Sequence, residues 1–155
     1  VMLGHSYGAA CVIGAIQSEC QYPFCDDGET FSRPDELKAV ALCGINTRPR
    51  GNPFDRTIRE TANDGIPMAF INGDLDGNAQ YDVTKTSYAL IEDPPKALVF
   101  IKGANHYAMC DTNNPPGPGE DSNSPTLDQS VSIETAARWS ALLLRAHALN
   151  NPYAF

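Results

Sequence analysis

The chain predicts an α/β fold: a mostly parallel, doubly wound sheet with flanking helices. Three observations predict it. Short apolar runs of strand length alternate with stretches of helical period. Those runs are apolar on both faces, as parallel strands covered by helices must be. The residues with chemical potential lie just past the ends of the runs, where open α/β sheets collect them. At 155 residues and 42% hydrophobic content, one domain with a real core is expected, spanning 1–155.

The first run, Val1-Met2-Leu3, leads into Gly4-His5-Ser6-Tyr7-Gly8, and a helix of about Gly8 to Ser18 follows. Gly-x-Ser-x-Gly between a strand and a helix holds its serine on a strained turn with the hydroxyl clear of the sheet. A side chain at either Gly4 or Gly8 is expected to collide with the strand and helix packed around that turn. The new helix also directs N–H groups, and its positive dipole end, toward the serine.

A loop through Arg33-Pro34 precedes a strand over Lys38 to Cys43. Asn46 to Gly65 is an excursion rich in Arg and Pro, with a short helix near Phe54 to Ala62. It is expected either to line a pocket or to serve as an ordinary connection. Ile66 to Asn72 reads as a buried strand ending in the acidic turn Gly73-Asp74-Leu75-Asp76-Gly77. A helix over about Asp82 to Ile91 and a strand over Ala97 to Ile101 come next, the strand running into Lys102-Gly103-Ala104-Asn105-His106-Tyr107. Asp111 to Asp128 carries Pro115-Pro116-Gly117-Pro118-Gly119 and is expected to be irregular, a rim or lid or a flexible surface loop. Ser130 to Leu149 has Ile133, Ala136, Ala137, Leu143 and Leu144 at helical period, a face for packing on the sheet.

Serine, acid and histidine thus follow in order at three strand ends. A serine hydroxyl is a weak nucleophile at neutral pH and needs a base within hydrogen-bond reach. Of the three histidines, His5 is the residue before the serine, with its side chain expected to point away, and His147 lies in the last helix. His106 is therefore the base, and an aspartate would fix its tautomer and stabilise the imidazolium. Asp74 and Asp76 both sit in the acidic turn. Asp74-x-Asp76-x-Asn78 also begins like a calcium loop, but Ala79 and Lys85 stand where that motif wants Gly and Glu. No metal is expected.

Gly-His-Ser-Tyr-Gly-Ala, Gly-Asp-Leu-Asp-Gly and Gly-Ala-Asn-His-Tyr together resemble the α/β-hydrolase superfamily, its serine esterase and lipase branch with dienelactone-hydrolase-like, chlorophyllase-like and cutinase or polyester-hydrolase types. The resemblance implies carboxylic ester hydrolysis through an acyl-enzyme on Ser6, with Asp76 and His106 completing the triad. In that family the acid falls three residues after the strand-ending glycine, which favours Asp76 and leaves Asp74 to cap the turn. The family pattern gives one oxyanion donor to the backbone N–H of Tyr7. His5, Tyr7, Leu75, Tyr107 and Met109 flank these positions and are expected either as a substrate-binding edge, for an ester with an apolar acyl or alcohol part, or as local packing. The family also has strands before the elbow, whereas this chain starts within the strand that feeds it, so the resemblance implies the C-terminal portion of such a sheet. The expected partner is therefore an N-terminal half, as a second polypeptide or a segment outside this sequence, ahead of a module that pairs with its own copy.

A net charge of −8 argues against nucleic acid and anionic membrane surfaces, and no apolar stretch approaches the length needed to span a membrane. Acyl transfer to water needs no cofactor, and none is expected. Of five cysteines, Cys20 and Cys25 lie close enough to bridge, which would point to an oxidising, secreted or periplasmic setting; reduced thiols in the cytosol are the alternative. Cys11 and Cys43 are expected to be buried, and Cys110 follows the His106 loop. The rival functions are a hydrolase-fold module that binds a ligand or protein without catalysis, and a peptidase or acyltransferase using the same triad.

Overall fold

The computed structural model describes residues 1–18, 32–48 and 57–149. Its elements in chain order are β1 (Met2–His5), α1 (Tyr7–Gln17), β2 (Val40–Cys43), β3 (Met68–Gly73), α2 (Tyr81–Ala89), β4 (Lys96–Ile101) and α3 (Gln129–Ala148). The strands form one sheet in the order β1-β2-β3-β4, every pair parallel. The α/β fold expected from the sequence is the fold observed, with boundaries shifted by a residue or two.

Strand alternation assigns the sheet's two faces. Val40, Leu42, Met68 and Phe70 face α1 and join Ala9, Val12, Ile13 and Ile16 in one core, with Leu98 and the α2 residue Tyr88 packed against it. Ala41, Cys43, Ala69 and Ile71 face the other way and meet Ala136 and Leu143 of α3. The first face carries large side chains; each such residue, fully buried, contributes about 1.5–3 kcal/mol. The second carries mostly small ones, and α3 answers with buried Ser132, Ala136 and Ser140. Within the α3 period, Ala136 and Leu143 are buried while Ala137 is exposed, so Ala137 is not part of the packing face. Asp128 caps α3 by accepting from the N–H of Ser130 (2.9 Å) and of Val131 (3.3 Å).

Two further expectations change. No helix forms over 57–62, and residues 54–56 lie outside the described residues. Thr61 instead makes a strand-like bridge with Ile91: its N–H donates to Leu90 O (3.0 Å) and its carbonyl accepts from Glu92 N (3.1 Å), which uses the groups a helix would need. Ile91 precedes β4, so Thr61 lies at the end of the sheet opposite Ser6, while Arg59 bonds Thr47 beyond the end of β2: its N–H donates to Thr47 O (3.2 Å) and its carbonyl accepts from Thr47 Oγ1 (2.8 Å). Cys11 is exposed on α1, not buried. Cys43 is buried as expected, and burial pushes its thiol up to about 11. The Cys20–Cys25 pair lies outside the described residues. Among the described residues no helix is long and apolar enough to cross a membrane, and no cluster of His, Cys, Asp or Glu could hold a metal ion.

Candidate active site

Ser6 stands between β1 and α1 as the N-cap of the helix, with φ 54° and ψ −120°. A positive φ is strained for a side-chain-bearing residue and persists only when its surroundings hold it. Here the Ser6 N–H donates to Cys43 O (2.9 Å), and the Ser6 carbonyl accepts from Ala9 N (3.0 Å) and Ala10 N (3.2 Å). Gly4 supplies the clearance. A Cβ there would lie 2.5 Å from Gly8 O and 2.6 Å from Ala9 N, both backbone atoms that cannot give way. Gly8 differs from its expectation: among the described residues nothing lies within 4 Å of where its Cβ would be. The elbow needs its first glycine for space, and among the described residues its second has no such reason.

The Ser6 hydroxyl donates to His106 Nε2 at 2.9 Å. On the far side of the ring, Nδ1–H donates to Asp76, 3.0 Å from Oδ2 and 3.1 Å from Oδ1. The tautomer is assigned from these partners, since a carboxylate only accepts. Asp76 is itself held by the N–H of Asn78 (2.9 Å) and of Ala79 (2.6 Å) on Oδ1. Both His106 and Asp76 are 3% exposed. Asp74 takes the other role open to it: its Oδ1 accepts from Gly103 N (2.6 Å) and ties the acidic turn to the end of β4. Three side chains from three strand ends thus form one continuous hydrogen-bonded line, with the serine at its outer end.

His5 packs beside the base. Its Nε2–H donates to the carbonyl of His106 (2.8 Å), and the two rings lie 4.9 Å apart at 41°. Its Nδ1 therefore carries the lone pair and faces Cys110 Sγ at 3.8 Å. Burial lowers the pKa of His5, with the His106 carbonyl opposing that shift, which favours the neutral ring. Gly44, at φ +58°, leaves the room for this pair. A Cβ there would sit 3.0 Å from the His5 ring and 3.2 Å from His106 Cε1.

The other residues expected at a substrate edge fall in different places. Tyr107 is buried, its ring edge-on to His106 (5.1 Å, 85°) and its hydroxyl donating to the Gly119 carbonyl. Met109 packs against the core on the α3 side. Leu75 is half-buried, with its N–H on Ala104 O (3.0 Å) and its carbonyl accepting from Asn123 Nδ2 (2.9 Å). Tyr7, the first residue of α1, is 51% exposed and lies beside Ser6 in sequence.

Two residues of this site were not anticipated. Asp121, in the loop between β4 and α3, is 6% exposed and accepts from the N–H of His106 (2.7 Å) and from that of Gly77 (3.2 Å to each oxygen). Asn105 is buried, donating through Nδ2 to Asn113 Oδ1 and Asn123 O, both at 2.9 Å. The loop is thereby bonded to the turns carrying Asp76 and His106 rather than left as a free surface segment. Its one sequence signal was a density of Asn and Asp near the histidine, which composition alone reads as irregular loop.

No family model matches this chain, and no curated protein matches it in sequence. Among solved structures, it is similar to the crystal structure of the esterase domain from a Rhodothermus marinus protein, with a TM-score of 0.50 and 16% identity over 95% of this chain. It also matches TT1662 from Thermus thermophilus, with a TM-score of 0.47 and 12% identity over 87% of this chain. The chain spans 60% of the first neighbour's length and 50% of the second's. At such identities the likeness to the esterase domain is one of fold alone, a parallel α/β sheet with flanking helices.

Proposed function

We propose that this chain acts as a serine hydrolase that cleaves carboxylic esters through an acyl-enzyme on Ser6. The observation that carries the reading is the line from Ser6 Oγ through the His106 ring to the Asp76 carboxylate, with contacts of 2.9 and 3.0 Å and its inner two members buried. In the first half-reaction the Ser6 oxygen attacks the ester carbonyl carbon as its proton passes to His106 Nε2. The imidazolium, stabilised through Nδ1–H by Asp76, then gives that proton to the departing alcohol oxygen. Water repeats the sequence on the acyl-enzyme, releases the acid and restores the serine. The Tyr7 N–H, at the positive end of α1, is one oxyanion donor.

The strained φ of Ser6 supports the same reading, since such strain gathers at reacting residues and is held here by Gly4 and three backbone hydrogen bonds. The fold shared with the Rhodothermus marinus esterase domain is compatible with it. The exposed Tyr7 ring beside the nucleophile favours an ester with an apolar acyl or alcohol part.

The test is intact mass spectrometry after a fluorophosphonate, paired with turnover of an aryl ester. An adduct on Ser6 is expected, and Ser6→Ala should lower kcat by roughly 10³-fold or more with the fold unchanged by circular dichroism. Turnover retained in Ser6→Ala rejects the assignment.

A further inference from the structure

We propose that Asp121 is a positioning residue for the base, a second buried carboxylate that sets the separation between His106 and Asp76 without touching either side chain's reacting atoms. The inference rests on the hydrolase reading above. Asp121 is buried although Glu120, Ser122 and Asn123 on either side are exposed, so the loop turns this one side chain inward. Its carboxylate collects three N–H donors from three places: His106 at 2.7 Å, Gly77 at 3.2 Å to both oxygens, and Asn123 at 2.8 Å.

Two of those donors belong to the catalytic turns. His106 N is the base's own peptide, and Gly77 N is the peptide following the acid. One rigid group therefore fixes both turns relative to each other. The fit is close, since a Cβ on Gly77 would lie 2.5 Å from Asp121 Oδ1. Asp121 is anchored in turn through its own N–H to Asn114 Oδ1 (2.9 Å), and the next layer repeats the tie, Asn123 Nδ2 reaching Leu75 O (2.9 Å). A carboxylate is acceptor-only and matches this ring of donors. An amide of the same shape would turn its NH2 against at least one of them.

The experiment compares wild type, Asp121→Asn and Asn114→Gly for kcat and KM on an aryl ester, with amide hydrogen exchange at His106 and melting temperature measured on the same samples. Asp121→Asn should lower kcat by about tenfold to a hundredfold, the penalty of a misplacement on the order of 1 Å, with KM within about twofold and faster exchange at His106. Asn114→Gly accepts the positive φ of 47° at that position and removes only the anchor. It keeps the test alive if Asp121→Asn does not fold, with an expected fall in kcat of about threefold for a partly released carboxylate. Unchanged kcat in the folded variant, or a loss carried wholly by KM, overturns the inference while leaving the hydrolase reading intact. A wild type that turns over no ester and takes no fluorophosphonate at Ser6 overturns both.

Discussion

The serine end of the site and the histidine end are held in place by opposite means. Ser6 is fixed by backbone: a strained dihedral, three main-chain hydrogen bonds and the missing Cβ of Gly4, all within a few residues or on the next strand. Asp76 is held by the N–H groups of Asn78 and Ala79, but the turns that carry it and His106 are tied together by side chains from elsewhere in the chain. Asp74 holds the end of β4, Asp121 holds both turns, and His5 holds the His106 carbonyl across a separation of 101 residues. A strained turn needs local sequence and little else, whereas a histidine on a long loop has no intrinsic address and takes its position from whatever bonds its peptide. The two ends should therefore fail differently.

The sharpest contrast at the histidine end is between its two aspartates. Asp76→Asn should cost about 10³–10⁴ in kcat, because the imidazole loses both its tautomer control and its charge partner. Asp74→Asn should cost about tenfold or less, because it weakens one 2.6 Å bond to Gly103 N and leaves the ring contacts alone. Steady-state kinetics on one aryl ester checks both, and the reverse ranking would move the acid to Asp74.

At the serine end the paired glycines give the next largest difference. Gly4→Ala forces backbone atoms apart and should destabilise by about 1–3 kcal/mol or more. Gly8→Ala meets nothing among the described residues and should be neutral, or gain about 0.5–1 kcal/mol from helix propensity. Urea denaturation measures each. Equal losses would mean that the elbow is held by both glycines rather than by the first.

The smallest effect links the two ends through His5. Its folded pKa lies below the ordinary 6.5, chiefly from burial. The unfolded chain therefore binds the proton more readily, and stability rises with pH across the interval between the two values. The contribution is complete above 6.5 and is lost as pH falls through 6.5 toward the folded value. His5→Gln keeps an N–H for the His106 carbonyl but cannot titrate, so its melting temperature should fall less steeply below pH 6.5. An identical slope in both proteins would show that His5 titrates alike folded and unfolded.

The same contrast explains what was readable in the chain. Strands, helices and the Gly-x-Ser-x-Gly elbow are local patterns, and each element but one was anticipated to within a few residues. The exception, a helix near Phe54 to Ala62, failed in its described part because Thr61 pairs with Ile91, a contact invisible in a local window. The line of Ser6, Asp76 and His106 was legible because strand ends converge in this class of sheet. Its supports were not. Asp121 lies in a stretch whose Pro, Gly and acidic composition describes solvent-exposed loop equally well, and only the folded turn shows one carboxylate facing inward. The partner of His5 was hidden for a related reason: alternation along β1 does not reveal that the His106 carbonyl reaches back over it.

The unequal side chains on the two faces of the sheet bear on how this protein tolerates mutational drift. On the face toward α1, where Leu42, Met68 and Phe70 fill the layer, trimming a residue leaves a hole, at about 2–5 kcal/mol for Leu or Met to Ala. On the face toward α3, where Ala41, Ala69 and Ala136 meet closely, trimming has little left to remove, and an added methylene instead drives the helix outward at about 1–3 kcal/mol. A population of variants should accordingly show opposite size limits on two sides of one strand, residue by alternate residue.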